Sequence, residues 1–210
     1  MKRFSLITEI EARVLEYGST VELEPGGQVT PLAADTLRER RVTVRPALGL
    51  TDADIAALAP PATIRTVALA TDHSGLALKK RLAAHLRAKA LAVIDLGTDT
   101  PDPVDYPDIA ARVAQAVARG DAEAGIVIDG AGIGSAIVAN KVRGVRAVMA
   151  LTPTIARYGR EHNGANVVTL GATLLSIDEA LAVVDMFLAT PMTEARYIRR
   201  LAKVRALETP

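Results

Sequence analysis

From Thr66 onward the sequence alternates short β-branched apolar runs with longer alanine-rich helical stretches, and this alternation restricts the fold more than any other feature. The runs are Thr66–Ala70, Leu91–Asp95, Ala124–Ile128, Val145–Ala150 and Asn166–Leu170, and each reads as a buried strand. The stretches between and after them predict helices near residues 76–89, 109–119, 135–141, 154–162, 177–188 and 193–207. Five buried strands joined by helices imply right-handed βαβ crossovers and an α/β fold with a five-stranded parallel sheet covered on both faces. Ligands in such sheets bind at the carboxyl ends of the strands, beside the point where the strand order reverses. The polar residues just after each strand are therefore the candidates for function.

Residues 1–65 have a different texture. A helix near Ile7–Tyr17, a strand at Thr20–Leu23, a turn at Pro25-Gly26-Gly27 and a helix near Pro31–Arg40 predict a small α/β extension over residues 1–45. Residues 46–65, rich in Ala and Pro, read as a linker in which Leu50, Ile55 and Leu58 share one face of a short amphipathic helix. The main domain is then 66–210.

Composition excludes several classes. The 210-residue chain has 25 Lys+Arg against 24 Asp+Glu, so its net charge of +1 offers a polyanion no broad attraction. Two Phe and four Tyr cannot supply a row of base-stacking platforms, and nucleic acid is not expected as a partner. The absence of Cys excludes disulfides, thiolate metal sites and a thiol nucleophile. The first residues lack the apolar run of a secretory signal, and no stretch approaches the 18 or so apolar residues of a membrane span, so neither export nor a membrane is expected. The expected location is cytoplasmic.

Four segments carry candidate chemistry. Asp72 and His73 follow the first strand, where Asp72 reads equally well as a helix N-cap and His73 as a surface residue. Asp105-Tyr106-Pro107-Asp108 precedes the second helix, and its Pro and Asp suit a helix start for purely structural reasons. The third strand runs into Asp129-Gly130-Ala131-Gly132-Ile133-Gly134-Ser135. Alternate glycines there could let backbone N–H groups close on a phosphate or a developing oxyanion, with the Asp129 carboxylate in the same cleft. The fourth segment is Arg160-Glu161-His162-Asn163, joined by Arg196, Arg199 and Arg200 on the last helix. Such arginines suit a phosphate clamp or, more plainly, a solvated face. His85, among Leu82, Leu86 and Lys89, reads as a structural or surface histidine.

Taken in order, these segments resemble the ribose-5-phosphate isomerase type B family, which includes the galactose-6-phosphate isomerase subunits of lactose operons. The resemblance rests on Asp72-His73-x-Gly75, Val93-Ile-Asp-x-Gly97-Thr98, Asp105-Tyr-Pro-Asp108 and Gly130-x-Gly132-x-Gly134 with Ala139-Asn140-Lys141. Arg160-Glu-His-Asn163-x-Ala-Asn166 and Arg196-x-x-x-Arg200 complete it. It implies a Rossmann-like αβα sandwich and a cofactor-free, metal-free aldose–ketose isomerase of a small phosphorylated sugar. The resemblance also implies a homodimer or tetramer with sites between subunits.

Residue by residue, the resemblance assigns ring opening to His162 and the phosphate to His73, Arg196 and Arg200. Sugar contacts fall to Asp72, Tyr106 and Asn163, and the enediolate to the amides of Gly130, Gly132 and Gly134. Many type B enzymes carry a proton-abstracting Cys where Asp129 stands and a Thr where Ala131 stands, whereas an Asp fills the first position in the lactose-operon subunits. Asp129 is thus the expected base, with burial beside Ile128 and Ile133 favouring that role. If Asp129 instead merely accepts amide hydrogen bonds, the alternative is a non-catalytic sugar-phosphate binder or assembly protein on the same fold. The stretch from Gly27 to Val42 is similar to segments on enzymes of bacterial microcompartments. That likeness implies that residues 1–60 bind shell or cargo proteins and that the enzyme works inside a microcompartment, the alternative being an extension that braces a dimer.

Overall fold

The computed structural model describes residues 2–47, 53 and 56–208, which divide into two units, Met1–Asp54 and Ile55–Pro210. The first unit is a three-stranded parallel sheet in the order β1-β2-β3, formed by β1 (Arg3–Ile7), β2 (Thr20–Val29) and β3 (Thr43–Pro46). Helix α1 (Glu9–Val14) connects the first two strands and α2 (Pro31–Glu39) the last two. Ile7, Ala12, Leu15, Val21, Ala33, Leu37 and Val42 form its core.

Local chemistry sets the boundaries. The helix expected from Ile7 starts only at Glu9, because the Glu11 carboxylate turns back to accept the Thr8 N–H at 2.9 Å and fixes Thr8 as the cap. Thr30 caps α2 with Pro31 in its first turn. The expected turn at Pro25-Gly26-Gly27 is an irregularity inside β2. Phe4 pairs with Leu23 and Leu6 with Gln28, so the extra residues bulge out while β1 stays paired on both sides. Gly26, with φ of +78°, supplies the left-handed residue that this bulge needs.

The second unit carries a fully parallel five-stranded sheet in the order β5-β4-β6-β8-β7. Its strands are β4 (Thr66–Thr71), β5 (Ala92–Asp95), β6 (Ala124–Asp129), β7 (Ala147–Met149) and β8 (Val167–Gly171). The helices are α3 (Leu76–Ala88), α4 (Tyr106–Arg119), α5 (Ile133–Ala139), α6 (Pro153–Asn163), α7 (Ile177–Ala189) and α8 (Ala195–Ala206). Strands β4, β6 and β8 have alternate residues on opposite faces. Val67, Leu69, Ile126, Ile128, Val168 and Leu170 pack against α3, α6 and α7, while Ala68, Ala70, Val127 and Val167 pack against α4 and α5. The expected αβα sandwich is what the chain forms. Among the described residues no helix is long and apolar enough to cross a membrane.

The unit division falls inside the stretch expected to be a linker. Residues from 56 onward belong to the main unit: Leu58 and Ile64 are buried, Leu58 O accepts from Arg146 Nη2 at 3.2 Å, and Pro61 O accepts from Arg160 Nη2 at 2.9 Å. Leu58 is therefore unavailable as an exposed docking residue, and its two expected companions, Leu50 and Ile55, lie outside the described residues. His85 has the structural role expected of it: Nε2 lies 2.8 Å from Asp185, linking α3 to α7, and Lys89 joins the same carboxylate at 2.6 Å.

Candidate active site

Strand β4 leads through α3 to β5 on one side and, after α4, to β6 on the other, so the order reverses between β4 and β6. The carboxyl ends of those two strands open the crevice where such sheets bind ligands. Asp72 and His73 leave β4 there, and Asp129 ends β6 there.

Asp72 is almost fully buried and caps a short 3-10 turn, His73–Gly75. Its Oδ1 accepts the Ser74 N–H at 2.8 Å and the Ser74 hydroxyl at 2.5 Å, so the capping role anticipated for it is real. His73 Nδ1 accepts the Val104 N–H at 3.3 Å. The neutral ring is thereby assigned the Nε2–H tautomer, leaving a donor on its far side.

The loop from Leu96 to Asp105 forms the outer wall. Lys79, buried on α3, holds Asp95 at 3.0 Å and Asp99 at 2.6 Å. Burial opposes its charge, but Asp99 and Asp95 outweigh that cost and keep its ammonium above the usual lysine range. A lysine on a helix reads as exposed in a sequence, and this anchor was not anticipated. Gly97 is packed on Thr71, where an added Cβ would lie 2.5 Å from the Thr71 nitrogen. The Thr71 hydroxyl is buried beneath the site and lacks a hydrogen-bond partner.

Asp129, only 5% exposed, organises the glycine loop. Its Oδ1 accepts the N–H of Ala131 at 2.8 Å and that of Gly132, and its Oδ2 accepts the N–H of Ser135 at 3.0 Å and the Ser135 hydroxyl. The Gly132 amide is thus committed to Asp129, which leaves Gly130 and Gly134 of the three amides expected to face an enediolate. Gly132 has φ of +78°, and a Cβ there would meet the Leu170 carbonyl carbon at 2.9 Å. Gly134 is packed against Tyr106, with its virtual Cβ 2.5 Å from the ring. If Tyr106 contacts a sugar, as the resemblance implies, Gly134→Ala, which displaces its ring, should raise KM about tenfold, the loss of roughly one hydrogen bond. Steady-state kinetics would check this, and an unchanged KM would remove Tyr106 from the substrate contacts.

The remaining expected residues form a second group. His162 is stacked on Tyr158 with centroids 4.8 Å apart and lies 4.5 Å from the tilted ring of Tyr197. Arg196 and Arg200 sit over Tyr197 at 4.7 and 5.4 Å, and Asn163 Nδ2 donates to Tyr158 O at 3.0 Å. Among the described residues, no hydrogen bond or ring contact joins this group to Asp72, His73 or Asp129. Topology explains the separation. Helix α6 starts after β7 and runs back to the start of β8, so His162 lies at its far end, roughly 15 Å of helix away from the carboxyl edge of the sheet.

Arg160, in the same segment, is structural. It is 1% exposed, donates to Ala165 O at 2.8 Å and to Pro61 O, and covers the Phe187 ring at 5.3 Å. Burial, helped by the nearby charge of Arg146, pushes its pKa down to about 10. Among the described residues no three His, Asp or Glu side chains are grouped as a metal site would need.

Comparison with known proteins places the chain among sugar isomerases. The profile of a family described as Ribose/Galactose Isomerase matches residues 67–204. Ribose-5-phosphate isomerase B of Escherichia coli is 37% identical over 145 residues, covering 69% of this chain and 97% of its own. The solved ribose-5-phosphate isomerase B of Clostridium thermocellum superimposes with a TM-score of 0.67 at 40% identity, over 68% of this chain and 97% of its own. That of Mycoplasma genitalium, solved with bound ribulose 5-phosphate, gives a TM-score of 0.66 at 38% identity, over 68% of this chain and 95% of its own.

Proposed function

From the premise that the chain belongs to the ribose/galactose isomerase family, and is a sugar-phosphate aldose–ketose isomerase, we propose that it interconverts ribose 5-phosphate and ribulose 5-phosphate through an enediol with Asp129 as the base. The observation that carries this reading is the position of Asp129. A buried carboxylate stands at the switch point of the sheet, beside Asp72 and His73 and across the glycine loop from Tyr106. Proton abstraction beside a carbonyl by a carboxylate is the chemistry of triosephosphate isomerase. The bound ribulose 5-phosphate of the Mycoplasma genitalium relative supports the choice of substrate.

In this reading Asp129 removes the C2 proton and returns it to C1. Asp72, with its cap contacts confined to Oδ1, offers Oδ2 to the sugar, and Tyr106 offers its hydroxyl. The amides of Gly130 and Gly134 face the enediolate, and His73 donates from Nε2 to the phosphate. His162 opens the ring, Asn163 contacts the sugar, and Arg196 and Arg200 clamp the phosphate. These four belong to a second copy of the chain, because α6 carries its own His162 to the wrong end of the sheet for its own Asp129. The exposed Ile133, Ile137, Leu151 and Ile155 on and beside α5 and α6 offer apolar area for such a homodimer, or for the dimers of a tetramer.

Deuterium from solvent should then wash into C2 of the substrate, monitored by NMR across a panel of tetrose, pentose and hexose phosphates. The rival reading, a sugar-phosphate binder without catalysis, is favoured by one observation: four donors already occupy the Asp129 carboxylate. A binder would exchange no deuterium. Arg196→Ala or Arg200→Ala should raise KM by the equivalent of about 1.5–3 kcal/mol, the worth of a charged hydrogen bond. At substrate concentrations far below the KM of Arg200→Ala, mixing Asp129→Asn and Arg200→Ala chains should give more activity than the two chains apart, through hybrid dimers, and an active monomer would refute the shared site.

Residues 1–54 contain none of the proposed site residues, and in this reading they serve as an interaction or cargo-addressing module in the cytoplasm or a microcompartment. The exposed stripe of Ile10, Val14 and Tyr17 takes the role first assigned to the Leu50, Ile55 and Leu58 face.

A further inference from the structure

We propose that Ser135 is the positioning residue that allows Asp129 to act as a base, because its hydroxyl can both donate to the carboxylate and accept from the carboxylic acid. The inference rests on Asp129 being the base. A carboxylate has about four lone-pair sites, and here four hydrogen bonds fill them, from the N–H groups of Ala131, Gly132 and Ser135 and from Ser135 Oγ. Backbone N–H groups only donate. A proton arriving at a lone pair that one of them occupies would set two hydrogens against each other in a buried site. The hydroxyl is different. By turning about its Cβ–O bond, Ser135 frees a lone pair on Oδ2 and then accepts the new Oδ2–H.

The proton step balances on these groups. The C2–H bond of the open-chain aldose breaks and its proton bonds to Asp129 Oδ2. The electron pair left on C2 forms the C1–C2 double bond, while the carbonyl π pair moves to O1 as the enediolate oxygen. The Ser135 hydrogen turns away from Oδ2 about the Cβ–O bond, Ser135 lying in the first turn of α5. The O2–H proton passes to O1, the O–H pair left on O2 forms the C2 carbonyl, and the C1–C2 π pair takes the proton back from Oδ2 at C1, which restores the original hydrogen bond.

Among the described residues no other side-chain hydroxyl bonds to Asp129, and the buried Thr71 hydroxyl bonds to no partner. Thr169 Oγ1 is committed to Gly132 O and Thr173 Oγ1 to Gly130 O, each at 2.6 Å. The titratable groups of the neighbouring elements are Asp72 and His73 after β4 and Tyr106 on α4, and none of them bonds to Asp129. Ser135 is completely buried.

The test uses the full chain with ribose 5-phosphate, comparing Asp129→Asn, Ser135→Ala and Ser135→Thr by kcat, KM and deuterium wash-in at C2. Ser135→Ala should lower kcat and wash-in about 10–100-fold, part of the effect of a complete general base, with KM changed less than about threefold. Ser135→Thr, which keeps the hydroxyl, should recover most of that loss. If Ser135→Ala turns over within twofold of the parent or faster, or loses activity only through KM, the inference fails while Asp129 stands. Should Thr fail to fold in this tight site, the alanine variant decides alone. An active Asp129→Asn, or a parent chain that does not turn over ribose 5-phosphate, overturns the reading beneath it.

Discussion

Replacing Asp129 by asparagine is expected to slow turnover by about 10²–10⁴-fold, the range for loss of a general base. The structure adds a second consequence. The carboxylate receives two donors on each oxygen, and an amide can present its oxygen to only one pair. Whichever way the asparagine turns, its NH₂ group faces at least one buried N–H that has lost its acceptor, a cost of about 1–3 kcal/mol. The variant should therefore unfold at lower urea concentration as well as turn over slowly, and the glycine loop should loosen around Gly132. Steady-state kinetics, deuterium wash-in and a urea titration separate the two effects. An asparagine variant with normal turnover would remove Asp129 from the chemistry, and one with normal stability would remove it from the loop.

The same carboxylate shows where sequence reasoning stops. That an acid stands at the end of the third apolar run is visible in the chain, and so is the glycine spacing after it. That three amides and a hydroxyl converge on the acid depends on the backbone path from Gly130 to Ser135, which residue types do not encode separately. The amide hydrogen bonds named in one alternative are present, whereas the base role named in the other is a matter for kinetics. Asp72 is similar, since capping a turn with Oδ1 does not prevent it from offering Oδ2 to a ligand.

The main sheet was legible because strands buried on both faces need near-continuous apolar runs, and Thr66–Thr71 and Ala124–Asp129 are such runs. Strands β1 and β3 were missed: residues 3–6 were given no element, and residues 43–45 fell between the expected second helix and the expected linker. Of β1 only Ile7 is buried, and of β3 Val44 is half-buried, so neither carries an apolar signal of useful length. Buried cations were invisible for a related reason. Lys79 and Arg160 occupy helix positions that look solvated, and only the carboxylates and carbonyls brought to them by distant segments make their burial affordable.

A chain that begins at Ile64 is expected to lose most of its stability, whereas one that begins at Ala56 should fold and isomerise. The stretch before β4 was expected to be a linker, but Pro61 O accepts from the buried Arg160 and Leu58 O from Arg146. Removing both carbonyls strips two hydrogen bonds from charged donors, at about 1.5–3 kcal/mol each. Exposing the seat of Leu58 costs about 1.5–3 kcal/mol more. The sum is comparable to the whole unfolding free energy of an ordinary domain, about 5–15 kcal/mol. Circular dichroism and urea unfolding of the two truncated chains would measure the difference. Equal midpoints would show that Arg160 finds other acceptors and that residues 56–63 are a tether after all. Retained activity in the chain beginning at Ala56 would confine residues 1–54 to association or delivery, while loss of its folding would make the three-stranded unit part of the enzyme's stability.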